Sequence, residues 1–447
     1  PDLIVTVDNG ISSHAGVVTA QGLGISVPIT DHHLPGDELP MADVIVNPNQ
    51  PGCTFPSKSL AGVGVMFYVL TALRAELRDR DWFQRSGIGV PNLGDVLDLV
   101  ALGTVADVVP LDHNNRILVA AGLARIRAGR ARPGIDALLE VAGREAEDLG
   151  STDLGFVLGP RLNAAGRLDD MTVGVECLLA QSSFEARPMA QRLEDLNRER
   201  RDIEADMQEE ALAQLNQLDL SEDNRAFALC VYNPSFHQGV VGIVASRLRE
   251  RYHRPVIVFA DAGQGELKGS GRSIEGVHIR DALDHVAATH PGLIAKFGGH
   301  AMAAGLSLQA QDLAQFEQAF DAAVAGFLGH QPPEPTLHTD GELAVGELTL
   351  AAAETIAAGG PWGQHFPLPL FEGSFEVTSQ RLLKEKHLKM SLAAGGQTYD
   401  AIAFNVDTSE WPDDDVGRVR LVYQLDVNTF RGDRQLQLLV RHLWPDP

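Results

Sequence analysis

The sequence predicts an α/β protein in which two strand–helix units are joined by a long helix and followed by a small β-barrel. Three observations predict it. Short apolar, strand-like runs near the start alternate with helical stretches. Phe184–Leu218 contains no Gly, is dense in Glu, Arg and Gln, and carries leucines at helical spacing. Beyond Phe371, about five short segments alternate apolar and polar residues with Gly-containing turns between them.

The elements follow in order. Leu3-Ile4-Val5-Thr6-Val7 reads as a buried parallel strand ending on Asp8, and a second such run ends at Asp31-His32-His33. Ser13–Gly22 between them suits a crossover helix. Ala42–Pro48 reads as a third strand and Leu60–Leu77 as a buried helix. Asp95–Val109 has helical spacing and delivers Asp107 just before Pro110, where helices tend to stop. This first domain is expected over residues 1–183. Residues 184–218 form the connecting helix, with Arg192–Arg201 as its solvated face.

Residues 225–328 repeat the α/β pattern: strand Ala226–Tyr232, helix Val240–Tyr252, strand Pro255–Phe259, then a turn-rich strand at Gly269–Ser273. Gly329–Leu337, with three prolines, is a linker. Over 338–447, the segments Phe371–Val377, Leu388–Leu392, Tyr399–Phe404, Val419–Asn428 and Arg434–Arg441 suit a five-stranded barrel such as an OB-fold. Asp413-Asp414-Asp415 reads as a solvated loop.

Bulk composition narrows the function. A net charge of -24 argues against indiscriminate binding to nucleic acid, itself a polyanion. The charge is segregated, however. Arg247–Arg280 carries seven Lys or Arg against four acids, and Thr378–Lys389 carries Arg381, Lys384, Lys386 and Lys389 against Glu385 alone. No apolar run reaches the roughly 18 residues of a membrane span. Cys53, Cys177 and Cys230 form no CxxC pair, which suggests a reducing, cytoplasmic setting without a disulfide framework or zinc site. The chain opens on Pro1-Asp2 without Met and enters a strand at once, so an upstream segment is expected.

Four constellations carry chemistry. The first is Asp8, Asp31, His32, His33 and Asp107, placed at strand and helix ends where open α/β sheets have their reactive crevice. Carboxylate and imidazole ligands without thiolate suit Mn²⁺ or Mg²⁺. Such metals assist phosphoester hydrolysis. A single Asp after a strand is ordinarily a turn or cap residue, but the set is not explained that way. The second is Gly159–Arg167, where Arg161 and Arg167 suit either bidentate phosphate contacts or pairing with carboxylates. Gly269-Ser270-Gly271-Arg272-Ser273 reads as a tight turn or an anion pocket. Gly298–Gly305 offers His300 beside glycines that allow close backbone approach, or another tight turn.

Taken together, Val7–Gly10, Asp31–His33, Leu102–Asp107, Gly159–Arg167, Leu196–Arg201, Gly269–Ser273 and Gly298–Gly305 resemble the DHH phosphoesterase superfamily and, within it, the bacterial single-strand-specific exonucleases. The C-terminal part, through Asn428–Gly432, resembles their OB domain, so the likeness covers essentially the whole chain. The resemblance implies a parallel-sheet DHH domain, a DHH-associated domain and an OB barrel. It implies a two-metal nuclease, using Mn²⁺ or Mg²⁺, that removes nucleotides from the 5′ end of single-stranded DNA in repair and recombination.

On that likeness Asp8 bridges two metals while His32 and Asp107 ligate one of them. Asp31 orients His32, and His33 contacts the scissile phosphate or the attacking water. Arg161 or Arg167, with Ser270 and Arg272, holds phosphates near the 5′ end, and His300 lines the cleft. Arg381, Lys384, Lys386, Lys389, Phe430 and Arg431 are candidates for the strand path, Phe430 being equally well read as barrel core. A monomer is expected, served by a helicase or a single-strand-binding protein.

The family's first acidic motif has no counterpart here, so this chain alone is expected to be nearly inactive. Two other functions fit less well. A phosphodiesterase for short oligonucleotides or cyclic dinucleotides needs neither the long helix nor the barrel. A catalytically silent single-strand scaffold has no use for Asp8, His32 and Asp107.

Overall fold

The computed structural model describes residues 1–215, 226–408, 410–413, 415–430 and 433–446. They fall into two compact units, Pro1–Gly159 with His338–Pro447, and Pro160–Leu337.

The first unit opens with a three-stranded parallel sheet of β1 (Thr6–Val7), β2 (Pro28–Thr30) and β3 (Val44–Val46). Helix α1 (His14–Gly22) makes the crossover and buries Val17 and Ala20 against Val27 and Ile29. The expected burial of Leu3–Val7 does not hold: Leu3, Ile4, Val5 and Val7 are each at least 38% exposed. Among the described residues β1 pairs with β2 alone, at the edge of the sheet, and Leu3 meets Ser26 through an isolated bridge, so the apolar run has a neighbouring strand on one side.

Helix α2 (Gly62–Asp79) is buried only at its start, at Gly62, Gly64 and Val65, rather than along its length. After α3 (Trp82–Ser86), helix α4 (Leu97–Ala106) is the central one and packs on α5 (His113–Arg127). The approach is close because Gly122 has no side chain; a Cβ there would collide with that of Ala101. Helix α6 (Pro133–Ala142), the single turn α7 (Ser151–Asp153) and a π-helical turn at Leu154–Leu158 complete this segment.

The chain returns to the same unit at His338. Helix α14 (Leu350–Ala358) precedes a closed barrel of β9 (Phe371–Leu383), β10 (His387–Ala394), β11 (Gln397–Ala403), β12 (Arg418–Phe430) and β13 (Asp433–Pro445). Strand order is β10-β11-β13-β12-β9, antiparallel except for β11 beside β13. Alternate residues, among them Leu388, Met390, Leu392, Leu421 and Tyr423, fill its interior. Of the expected acidic loop, Asp414 lies outside the described residues. A seam joins barrel and sheet segments: Leu111 N donates to Gln364 O at 2.7 Å and Ser151 Oγ to Trp362 O at 2.6 Å. The Arg116 guanidinium also lies 3.8 Å over the Phe366 ring.

The second unit begins with α8 (Gly159–Leu168), α9 (Thr172–Leu179) and the 33-residue helix α10 (Ser183–Leu215). The expected end at Leu218 lies outside the described residues. The segment Arg192–Arg201 is only in part a solvated face, since Leu193, Glu194, Leu196 and Asn197 are buried. Glu194 and Asn197 can be buried because arginines hydrogen-bond them.

Five strands follow in the order β4-β5-β6-β8-β7: β4 (Leu229–Tyr232), β5 (Val256–Gly263), β6 (Glu266–Arg272), β7 (Lys296–Gly299) and β8 (Ala303–Gln309). Only β4 and β5 run parallel. Helix α11 (Val241–Tyr252) covers one face over Val256, Val258 and Ala260. Helices α12 (Ile279–Thr289) and α13 (Leu313–Phe327) cover the other, over Ile257, Phe259 and Leu306.

Gly269–Ser273 is not a tight turn, because Gly269–Arg272 lie in β6 at the middle of the sheet. Its glycines serve packing. A Cβ at Gly269 would lie 2.8 Å from Leu306 Cδ2, and one at Gly271 would lie 2.6 Å from Ile279 Cδ1. Among the described residues, no helix is long and apolar enough to cross a membrane.

Candidate metal centre

Parallel strands set the site. β1 stops at Val7, and Asp8 turns into the left-handed region at φ +64°, its N–H donating to Thr30 O at 3.0 Å. β2 stops at Thr30 and hands the chain to Asp31, His32 and His33. Helix α4 stops at Ala106, with Asp107 as its cap.

The three element ends meet at one imidazole nitrogen. His32 Nε2 lies 2.9 Å from Asp8 Oδ1 and 3.3 Å from Asp107 Oδ2. Asp8, His32 and His33 each offer a ligand atom within 4.8 Å of one another. Burial pushes the Asp107 carboxyl above the usual carboxylate range; His32 pulls it down, while Asp8 pushes it further up. Two carboxylates converging on one imidazole, with no thiolate, form a donor set that fits a hard divalent cation.

Asp31 is 1% exposed and fully engaged. Its Oδ1 accepts from His32 N at 2.7 Å, His33 N at 3.1 Å and His33 Nδ1 at 2.8 Å, and its Oδ2 accepts from Ile11 N at 2.9 Å. Burial alone would raise its pKa, but these bonds together hold it below the usual range. An ionised Asp31 places the proton on His33 Nδ1. The ring that Asp31 orients is therefore that of His33, not His32 as expected; it meets His32 only through the backbone. A ring two residues on can fold back over a carboxylate whose own strand has just ended.

Three further residues escaped the sequence analysis. Asn47 Nδ2 donates to His33 O at 2.8 Å and Asn49 Nδ2 to His32 O at 2.6 Å, which fixes the backbone of both histidines. The spacing Asn47-Pro48-Asn49 after a strand was the available signal. Gly62, at the start of α2, has no side chain because a Cβ would lie 2.7 Å from the Asp8 carboxyl carbon.

In the second unit, the two arginines of α8 part company. Arg161 Nε lies 2.6 Å from Glu194 Oε2, the carboxylate pairing that sequence left open. Arg167 Nη1 donates to Gly239 O at 2.9 Å. Arg272 Nη1 donates to Ser270 Oγ at 3.1 Å and to Gly271 O at 2.8 Å. Burial lowers the Arg272 pKa, and the nearby Arg167 and Arg249 lower it further. Arg167, Arg249 and Arg272 thus form a positive cluster. Gly242 on α11 completes it, because a Cβ there would lie 2.9 Å from both Arg272 Nη2 and Ser270 Oγ. His300 is exposed in the turn between β7 and β8, its N–H donating to Ala303 O at 2.8 Å.

On the barrel, Arg381 and Lys389 face each other across β9 and β10, while Lys384 and Lys386 both lie in their hairpin turn. Lys389 Nζ is 3.0 Å from Asp400 Oδ2, so its charge is partly drawn off. Arg431 and the side chain of Phe430 lie outside the described residues.

An acid–imidazole cluster at the carboxyl ends of a parallel sheet, followed by a second α/β unit and a five-stranded barrel, defines a DHH-type phosphoesterase. Residues 1–104 match the DHH family N-terminal domain, 224–326 the DHHA1 domain and 339–442 the RecJ OB domain. The chain belongs to the RecJ family of single-stranded-DNA-specific exonucleases. It is 59% identical to the RecJ of Dickeya dadantii and 57% identical to that of Escherichia coli, covering 99% of this chain and 77% of each relative. Among solved structures, RecJ of Thermus thermophilus in complex with Mn²⁺ superposes with a TM-score of 0.81 at 30% identity. That match covers 100% of this chain and 62% of the Thermus chain.

Proposed function

We propose that the protein hydrolyses single-stranded DNA from its 5′ end as a metal-dependent exonuclease. The observation that carries this is the meeting of Asp8, His32 and Asp107 at one nitrogen, with His33 locked beside them by Asp31. Asp8, His32 and Asp107 would hold Mn²⁺ or Mg²⁺, which would supply polarisation of a phosphoryl oxygen and acidification of water.

The chain's own groups do the rest. With its Nδ1–H given to Asp31, His33 presents Nε2 as a lone pair that orients the attacking water and takes its proton. The water oxygen adds to phosphorus, the P–O3′ bond of the terminal nucleotide breaks, and the leaving O3′ takes a proton from solvent. A mononucleotide departs, and the shortened strand carries a fresh 5′-phosphate. Arg167, Arg272 and Ser270 hold that terminal phosphate, while Arg161 braces α8 against α10 through Glu194. Arg381, Lys384 and Lys386 on the barrel supply further contacts to the strand. The protein acts as a cytoplasmic monomer, a setting consistent with Cys53, Cys177 and Cys230 forming no disulfide, on strands opened by a helicase or kept open by a single-strand-binding protein.

The test is mononucleotide release from a 5′-labelled single strand with Mn²⁺, set beside a duplex and a dinucleotide. Asp107→Ala should abolish cleavage while single-strand affinity stays within about threefold. Equal cleavage of strand and duplex, or activity that survives the substitution, would overturn the proposal.

A further inference from the structure

On the α11 face of the second unit's sheet, the helix covers β5 and the Ser270–Arg272 end of β6, whereas among the described residues Lys268 and the same side of β8 and β7 are left open. Strand register orders the side chains on it. Lys268 pairs with Ser307, which pairs with Lys296. One row on, Ser270 pairs with Gly305, which pairs with Gly298. In the third row Arg272 pairs with Ala303, to which His300 is hydrogen-bonded.

Alternation confirms the facing. Lys268, Lys296, Gly298 and Gly305 are exposed, whereas Leu267, Gly269, Gly271, Leu306 and Leu308 between them are buried. A groove of about 300 Å³ lies over the Lys268–Ser307–Lys296 row and over Gly305 and Gly298 of the next. Its floor is glycine: a Cβ at Gly298 would meet nothing within 4 Å, and one at Gly305 only Gly269 O at 3.9 Å. Neither lysine is paired with a carboxylate among the described residues, although the chain carries a net charge of -24. Glu266 stands beyond the lysine row, opposite Gln309.

We propose that this trough binds the phosphodiester backbone of the substrate strand, with Lys268, Ser307 and Lys296 holding a phosphate separate from the one at Ser270 and Arg272. Four residues along β6 separate Lys268 from Arg272, a reach of about 13 Å at strand rise. Two unpaired ammonium groups flanking a hydroxyl suit a phosphate oxygen approached from above. Glycines at the centre let a sugar–phosphate chain lie against the sheet, where any side chain would lift it off. The inference rests on the reading of Ser270 and Arg272 as a phosphate site.

Two variants, K268A/K296A and K268E/K296E, test it by fluorescence anisotropy of a 5′-phosphorylated single strand across a KCl series, with EDTA to prevent cleavage. For single strands the slope of log affinity against log salt changes by roughly 0.7 for each phosphate neutralised. The alanine pair should flatten the slope by about that amount, one phosphate being no longer held, and the glutamate pair should raise KM for a long strand at least tenfold. A slope and KM equal to those of the wild type would overturn the inference. Should R272A leave affinity and slope unchanged while the lysine variants lower both, the reading beneath it fails and the lysine site stands alone.

Discussion

The His33 ring is fastened to Asp31 through Nδ1 at 2.8 Å, and the same carboxylate oxygen also receives the backbone N–H groups of His32 and His33. One buried anion therefore sets both the tautomer of His33 and the path of the histidine pair. In Asp31→Asn, one of the two side-chain positions becomes an NH₂ facing donors. Partners of this kind, when removed, typically lower metal affinity or activity by about 10–100-fold. The expected outcome is a loss of that size in kcat/KM and a higher Mn²⁺ concentration for half-activation. Unchanged metal titration and rate would show that His33 needs no such support.

Gly62 makes room for Asp8. Gly62→Ala places a methyl group against the Asp8 carboxylate, and overpacking of this kind costs about 1–3 kcal/mol. Because Asp8 is 53% exposed in its side chain, it can swing outward and relieve most of the clash. Activity should then fall at least tenfold while the melting temperature drops by only a few degrees. Thermal melts run beside Mn²⁺-dependent cleavage separate the two effects.

Glu194 is nearly buried and serves Arg161 at 2.6 Å and Arg198 at 2.8 Å. Glu194→Gln removes the negative charge that lies 2.6 Å from the Arg161 guanidinium, itself 12% exposed in its side chain. Breaking one partner of a buried pair costs about 3–5 kcal/mol. A clear fall in the urea midpoint is expected, larger than for Glu76→Gln, whose partner Arg80 is mostly exposed.

Burial pushes the Cys177 thiol up to about 11, and Cys230 is also raised, by burial and by Glu317 and Asp321 beside it. At pH 8 neither carries appreciable thiolate. A disulfide reagent should therefore modify Cys53 first, and the other two only on unfolding. Rapid labelling of all three in the native protein would contradict that order.

Much of this was legible in the sequence because the chemistry sits where regular elements stop. Asp8, His32 and Asp107 each follow a strand or helix whose pattern could be read, so their convergence could be anticipated. The barrel strands were visible from alternation alone. What escaped depends on neighbours distant in sequence. Whether Leu3–Val7 is buried depends on what lies beside β1, and an apolar run reads the same at a sheet edge as at its centre. Glycines at 269 and 271 look like turn residues until Phe259, Leu306 and Ile279 are found pressing on them. Glu194 looks solvated in a charged run, and only the return of α8 toward α10 buries it. The choice of Asp31 between two adjacent rings was likewise a matter of side-chain rotation, on which sequence is silent.

The seam of Leu111, Ser151 and Arg116 with Gln364, Trp362 and Phe366 joins parts of the chain made at different times. On the ribosome, residues 160–337 emerge between them, which takes on the order of ten seconds or more at 5–20 residues per second. For that interval the sheet segment exists without its barrel, while the intervening unit, contiguous in sequence, is free to fold. The unit that carries the metal ligands is thus completed only after residue 338 has emerged, and a nascent chain stalled before it would present those ligands without the surface that finishes their unit.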